Sequence, residues 1–559
     1  MTSAKIPAKI GPCDPTLSEE EAKKRGLLTV NQEVAIQRLI SEPTKSILIG
    51  DETGFGKTVQ GVEAIIRAGW KRTLIIALPI SYPQWAERLS LQSDGELALR
   101  VVDSTKAGQV NYAAMLAGED GIFAASIAFL NGRDYRHQNK REKVDGKWVV
   151  QWAVDKKTNE VKLRDRKEGK IGPAREPVAV RERVHLFTFR DKMKAPLDAL
   201  IFDEAHAVCK HTSIQRRTLL TFKTEWKIAM SATWSGNSFE FAWSLPRWLW
   251  PDLIPPYWEW HERWCRMEPT LKDDGTPAYA NGKALKHVAG EVEPAGTFIK
   301  TLPAYIRNES GDLAPAPFVV ECDPTLQQLA QRQDLEADLM TWVMNYEGEE
   351  EPLVINAPGS LYGRMRQLAL AELSYDERGE VTFAQNAASA KLGPLRGLLD
   401  NRYAGRQVGI LTDSKVYAKF VAARMNEAGY PTGLITGDTK KSDRLIVKDA
   451  FIAGEYRYLI GTVQSMGTAL DGLQTATNKV IWLSQPDGNP SQETQAIGRY
   501  FRTGRMMEAD GSDGFEQVII QVTGFEEEAA TMQRLVSKAF ALKSSIGKDA
   551  LHATLPLVH

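Results

Sequence analysis

Cysteine is scarce. The chain has 559 residues and four cysteines, Cys13, Cys209, Cys265 and Cys322, with no CxxC pair among them. That spacing excludes a zinc ribbon and a disulfide scaffold, and it fits a reducing compartment. Long apolar runs are also missing: nothing approaches the roughly 18 residues needed to cross a bilayer as a helix. The opening stretch "MTSAKIPAKIGPCDP" has no apolar core of a secretory signal. Net charge is close to nil, at −1, so no global attraction to a polyanion or membrane is expected, although a local basic surface is compatible with that value. No internal repeat of about 20–50 residues and no low-complexity tract occurs. A chain this long exceeds one hydrophobic core and implies several folding units.

What the chain does have is a series of short apolar runs. "KSILIG" (45–50), "TLIIAL" (73–78), "ALIFD" (199–203) and "WKIAM" (226–230) lie in the first half. "QVGIL" (407–411), "TGLIT" (432–436), "RYLIGT" (457–462), "KVIWL" (479–483) and "QVIIQV" (517–522) lie in the second. Continuous apolar strands without alternation suit parallel sheets covered on both faces. Helical patterns separate them. In 414–428, Val416, Phe420 and Ala423 share one face and Gly429 is placed as the stop. Alternating strand and helix in two blocks implies two α/β domains.

Two stretches break this rhythm. Residues 131–194 carry 19 Lys/Arg against 10 Asp/Glu. This reads as a basic, β-rich insertion: either a solvated hairpin or a nucleic-acid contact, the latter favoured because phosphates attract such an excess. Residues 246–385 read as a helical, aromatic-rich subdomain whose tryptophans are expected to be core. The expected division is an N-terminal tail (1–26), a first lobe (27–245, carrying the insertion), that subdomain, a second lobe (386–530), and a C-terminal helix and tail (531–559).

The chemistry-bearing residues sit at strand ends. "GDETGFGKT" follows an apolar run and precedes a helical pattern. Polyphosphates need many donors at close range. Glycines let backbone N–H groups approach without a Cβ, and the following helix adds its positive end. Asp51, Glu52, Thr53, Gly54, Phe55 and Gly56 would form the cradle, Lys57 would meet the terminal phosphates, and Thr58 would ligate Mg²⁺. Asp51 stands where the strict phosphate-loop pattern has glycine. "LIFDEAH" places Asp203 and Glu204 at the end of another apolar strand, the usual ligand edge of a parallel sheet. Asp203 would hold Mg²⁺ and Glu204 would polarise the attacking water. Far downstream, "QAIGRYFRTGR" contains Gln495, Arg499 and Arg502. The two arginines are three apart and share a helix face, an arrangement suited to a phosphate target.

Taken in order, these segments resemble the superfamily 2 helicases and, within them, the Swi/Snf-like DNA translocases. "DETGFGKT" is similar to that group's motif I, "VNQEVAIQRL" to the adenine-reading segment, "ALPISYPQW" to motif Ia, "DEAH" to motif II and "MSAT" to motif III. "GTVQSMGTALDGLQTATNKVIWLSQPDGNPSQETQAIGRYFRTGR" resembles motifs V and VI, and the likeness extends over about residues 27–530. Thr53 and Phe55 depart from the usual aliphatic residues, Arg505 stands where glutamine is usual, and "MSAT" departs from the group's glycine-threonine-proline version.

The resemblance implies two RecA-like parallel-sheet lobes with ATP and Mg²⁺ between them. Gln32 would read adenine, and Gln495, Arg499 and Arg502 would close the site from the second lobe. Ser231 and Thr233, with Gly467 and Asp471, would couple it to a nucleic-acid groove. Ser81, Ser126, Thr412, Thr436 and Thr462 are the candidate phosphate contacts. The expected activity is ATP-driven movement along DNA, single-stranded, duplex or forked. An RNA-directed or RNA-polymerase-remodelling ATPase is the alternative, and a non-hydrolysing clamp a third. A monomer with no membrane association is expected, in the cytoplasm of a bacterial or virus-infected cell.

Overall fold

The computed structural model describes residues 9–546, except 53, 134, 140, 145–146, 153, 155–160, 162, 166–174, 179, 186–188, 237–238, 266, 270–284, 288–296, 309–313, 356–357, 468–470, 503 and 509. Thr53 and the last part of the expected C-terminal tail therefore lie outside the described residues.

The first lobe is built on seven strands: β1 (Ser46–Ile49), β2 (Arg72–Ile76), β3 (Leu99–Val102), β4 (Gly121–Ala125), β5 (Leu197–Asp203), β6 (Thr224–Met230) and β7 (Tyr305–Ile306). They lie in the order β7-β1-β6-β5-β2-β4-β3, every pairing parallel. The second lobe has six: β8 (Phe318–Cys322), β9 (Val408–Thr412), β10 (Thr432–Ile435), β11 (Tyr458–Thr462), β12 (Lys479–Trp482) and β13 (Glu516–Val522). Their order is β8-β13-β12-β9-β11-β10, again all parallel. All nine apolar runs are strands, and β1, β9, β11 and β12 are buried at every position, as strands covered on both faces must be.

Local chemistry sets the helices. Helix α1 (Val30–Ser41) opens on a capping box between Thr29 and Gln32. Helix α2 (Lys57–Ala68) runs from Gly56 to Gly69, both in the left-handed region, with φ of 77° and 64°. Helix α3 (Lys415–Glu427) ends before Gly429 as expected, but its buried side is Tyr417, Ala418, Val421 and Met425 together with Phe420. Val416 is exposed, as is Ala423, so the buried stripe is rotated from the one that the periodicity implied. Lobe 2 also carries α4 (Pro490–Ile497) and α5 (Glu526–Ile546).

The stretch 246–385 is not one helical subdomain. Four of its six tryptophans are core, as expected: Trp248, Trp250, Trp260 and Trp264 are buried, but in the core of lobe 1, while Trp258 and Trp342 are exposed. Residues 305–306 and 318–322 are edge strands of the two lobes. Among the described residues, 267–269 and 285–287 pair as a small separate ladder, and 326–382 stands apart as a unit. It is a mixed unit of a four-stranded sheet and two helices (Leu326–Asp338, Pro358–Leu368), and it shares a core with Val522 and Phe525 of lobe 2. The described part of the 1–26 tail also packs down. Ala22 is buried, and the Ile10 backbone N–H donates to Gln92. Described parts of 131–194 form three antiparallel ladders. No helix among the described residues is long and apolar enough to cross a membrane.

Candidate active site

The sequence puts its charged and glycine-rich segments at the C-terminal edges of the strands, and the two lobes bring these edges to one cleft. The loop after β1 is held from three sides. Asp51, fully buried, accepts hydrogen bonds from Gln60 Nε2 (2.9 Å) and from the backbone N and Nδ2 of Asn308 (2.8 and 3.0 Å). Three donors satisfy a carboxylate that would otherwise be costly to bury. Gln32, the expected adenine reader, is mostly committed to structure. Its Oε1 accepts from Thr29 N, and its Nε2 donates to Phe55 O (2.9 Å). Gly56 must be glycine: a Cβ there would collide with the Gln32 amide. Glu52 and Phe55 are buried in the loop.

Lys57 donates to the carbonyls of Asp51 and Glu52 at 2.7 and 3.0 Å, and burial pulls its pKa below the usual lysine range. The N-terminus of α2 has no side-chain cap, so its first N–H groups are unspent. Left-handed Gly54 and Gly56, an uncapped helix start and a partly buried ammonium together fit a polyphosphate. Asp203 and the hydroxyl of Thr58 are hard oxygen donors of the kind Mg²⁺ takes beside phosphates.

Asp203 and Glu204 end β5 in contrasting states. Burial and the charge of Glu204 push Asp203 above the usual carboxylate range, against a hydrogen bond from Trp85 Nε1 (3.1 Å). Burial would raise Glu204 too, but His206 and the cations Lys57 and Arg499 outweigh it and hold that carboxyl low. Glu204 has φ of 53°, a strained setting for a residue with a Cβ. Its Oε2 lies 3.2 Å from His206 Nδ1, which is 3.1 Å from Ser231 Oγ.

A raised native pKa means that stability falls as pH climbs through it, because the folded state then loses a proton that it holds more tightly than the unfolded state. Asp203→Asn is therefore expected to raise the melting temperature of the nucleotide-free protein near pH 7.5. The advantage should vanish near pH 4, around the ordinary carboxylate value of about 4. Thermal unfolding at both pH values checks this; an equal advantage at both would contradict it.

The second lobe meets this site directly. Gln495 Nε2 on α4 donates to Thr233 Oγ1 at 2.9 Å across the cleft. Arg499 is buried and donates twice to Gly467 O (3.2 and 2.7 Å), near enough to Glu204, Asp203 and Asp471 for their charges to act on it. Arg502 pairs with Asp471 at 3.0 Å. It also lies against the phosphate loop: a Cβ on Gly54 would be 3.7 Å from Arg502 Nε. The expected loop, acidic pair, coupling residues and arginines therefore converge, but the arginines do so from the turn after α4, which ends at Ile497, and not from one helix face.

The five proposed phosphate contacts do not present free hydroxyls. Ser81 Oγ donates to Leu78 O, and Ser126 Oγ accepts from Phe129 N. Thr412 pairs with Ser484, Thr436 accepts from Asp438 N, and Thr462 donates to Ser465. All but Ser126 are buried. They close turns at the strand ends, the role that short hydroxyl side chains commonly take there. Asn308 and Gln60 were missed because neither belongs to a motif. Asn308 reaches Asp51 from 257 positions away, and no local pattern announces such a contact. Arg505 binds Asp513 at 3.0 Å and lies over the Phe501 ring.

Two family models match the chain in tandem: an SNF2-related domain over residues 31–288 and a helicase conserved C-terminal domain over 390–504. No curated protein matches it. Among solved structures, it is similar to the Sulfolobus solfataricus SWI2/SNF2 ATPase core in complex with dsDNA. The identity is 14% and the TM-score 0.33, over 92% of this chain and 93% of that one. The two matched domains, in this order and each on its own parallel-sheet lobe, place the chain among the Swi/Snf-like members of helicase superfamily 2.

Proposed function

We propose that this protein is an ATP-driven DNA translocase, hydrolysing ATP in the cleft between its lobes and moving along DNA as the lobes open and close. The observation that carries this reading is the placement of Arg502 against Gly54: a guanidinium from one lobe stands beside the glycine turn of the other. Such a site is complete only when the lobes meet, which ties hydrolysis to their relative motion.

Within it, Lys57 and the start of α2 bind the phosphates. Bound Mg²⁺, held by Asp203 and Thr58, would neutralise charge on those phosphates. Glu204, kept ionised by His206 and nearby cations, accepts a proton from water. Arg499 and Arg502 face charge that develops on the transferred group. The Gln495–Thr233 bond joins α4 to the loop after β6, and Ser231 links that loop to His206, so one polar chain runs from lobe 2 to the Glu204 side of the cleft.

Nucleic acid would lie across both lobes, held through phosphates and so largely without regard to sequence. The basic excess of 131–194 is the chain's clearest electrostatic footprint for it. ATP turnover should rise severalfold with duplex or single-stranded DNA. Stimulation by RNA alone would favour the RNA-directed reading, and no turnover with either would leave a clamp. Deleting 133–192 should weaken DNA binding and reduce the slope of log K against log salt, by about 0.9 for each phosphate that the protein no longer neutralises. An unchanged slope would make the insertion a bystander.

A further inference from the structure

Strand β7 pairs with β1, and this pairing does not stop at the sheet. Leu48 N donates to Ala304 O (3.0 Å), Gly50 N to Ile306 O (2.7 Å) and Glu52 N to Asn308 O (3.1 Å). The ladder therefore continues into the phosphate loop. Asn308 grips the loop a second time, through its backbone N and Nδ2 on Asp51 Oδ1. The next described residue after Asn308, six positions on, belongs to the other lobe. Ala314 is buried in the lobe-2 core beside Leu411 and Trp482. Pro315 O accepts from Gln517 Nε2 at 2.8 Å. The chain from Asn308 to Ala314 can span at most about 20 Å. This connector is thus a short leash, bonded to the phosphate loop at one end and packed into lobe 2 at the other.

We propose that Asn308 is a positioning residue that registers this connector to the phosphate loop, so that loop shape and lobe-2 placement change together. The inference rests on reading the cleft as an ATP site. Lys57 holds the carbonyls of Asp51 and Glu52. Phosphates that draw its ammonium away act on the same two residues that Asn308 holds. The consequence travels along the covalent chain into lobe 2, a route separate from the arginine contacts across the cleft. It works before the cleft closes, when those arginines are out of reach of the phosphates.

The test uses the full chain as wild type, Asn308→Ala and Asn308→Ser, the last keeping a short donor. ATP turnover is measured with and without duplex DNA, together with affinity for a non-hydrolysable ATP analogue and melting temperature. For Asn308→Ala the ratio of stimulated to basal kcat should fall severalfold, to near one, with KM and analogue affinity within about threefold of wild type. Asn308→Ser should recover most of that ratio. An unchanged ratio overturns the proposal. So does an equal fall in basal and stimulated rates accompanied by a lower melting temperature, since that marks a residue that merely seals the sheet edge. A wild type without any stimulation fails the functional reading itself, and the inference falls with it.

Discussion

Arg502→Ala is expected to cut DNA-stimulated ATP turnover by about 10³-fold or more, the range that such guanidiniums contribute in other NTPases. Affinity for an ATP analogue should change far less. The contrast with Lys57→Ala gives the experiment its force. Lys57 is half-buried within the loop and holds the carbonyls of Asp51 and Glu52, so its loss should remove both binding and turnover. Arg502 arrives from the other lobe, and its ion-pair partner Asp471 is half exposed. Removing it leaves a carboxylate that water can solvate, so little stability is lost. Steady-state turnover and fluorescent-analogue binding on both variants check the pair. Arg502→Ala with wild-type turnover would remove Arg502 from the reacting centre. It would leave the close approach of Arg502 to Gly54 as simple packing.

Glu204→Gln should lower turnover by about 10²–10⁴-fold, the usual contribution of a positioned general base, while nucleotide and DNA binding persist. The environment of Glu204 explains the expected size. His206 and the cations Lys57 and Arg499 keep the carboxylate ionised despite burial. Glutamine can keep its neighbour contacts but cannot take a proton. The left-handed backbone at this position is no worse for glutamine than for glutamate, so folding should be unaffected. Single-turnover hydrolysis separates this loss from a binding defect. If rates survive the change, another group activates water, and Asp203 becomes the first candidate.

Much of the molecule was legible before any coordinates. Nine apolar runs became nine strands because a strand buried on both faces must be apolar throughout, which is a local property. The glycines at 54 and 56 and the acidic pair at 203–204 were legible for a similar reason. Each sits where one strand ends, and a single turn specifies what it requires. The remaining strands were less visible. β3 is only partly buried, and β7 has two residues, which is too short a stretch to carry a pattern.

Other features depended on partners remote in sequence. The five strand-end hydroxyls looked like phosphate contacts, but each is spent on a neighbour, because hydroxyls shielded from water take the nearest donor or acceptor. Gln32 was expected to face a base, yet it caps α1 and holds Phe55. The tryptophans of 246–264 other than the exposed Trp258 were correctly read as core, but which core they belong to is decided by how short helical turns fold back on lobe 1.

By itself, then, the sequence determined the two parallel-sheet lobes, the phosphate loop, the acidic pair and the presence of two arginines three positions apart, since each follows from residues adjacent along the chain. The arginines' helix did not form, because α4 ends at Ile497 and both follow it in a turn. Only the tertiary structure decided that Arg502 meets Gly54, that Asn308 holds Asp51, and that residues 246–385 are divided between lobe 1, an edge strand of lobe 2 and a separate sheet-and-helix unit. These contacts join positions separated by tens to hundreds of residues, and no short-range preference of a polypeptide encodes which distant surfaces will pack together.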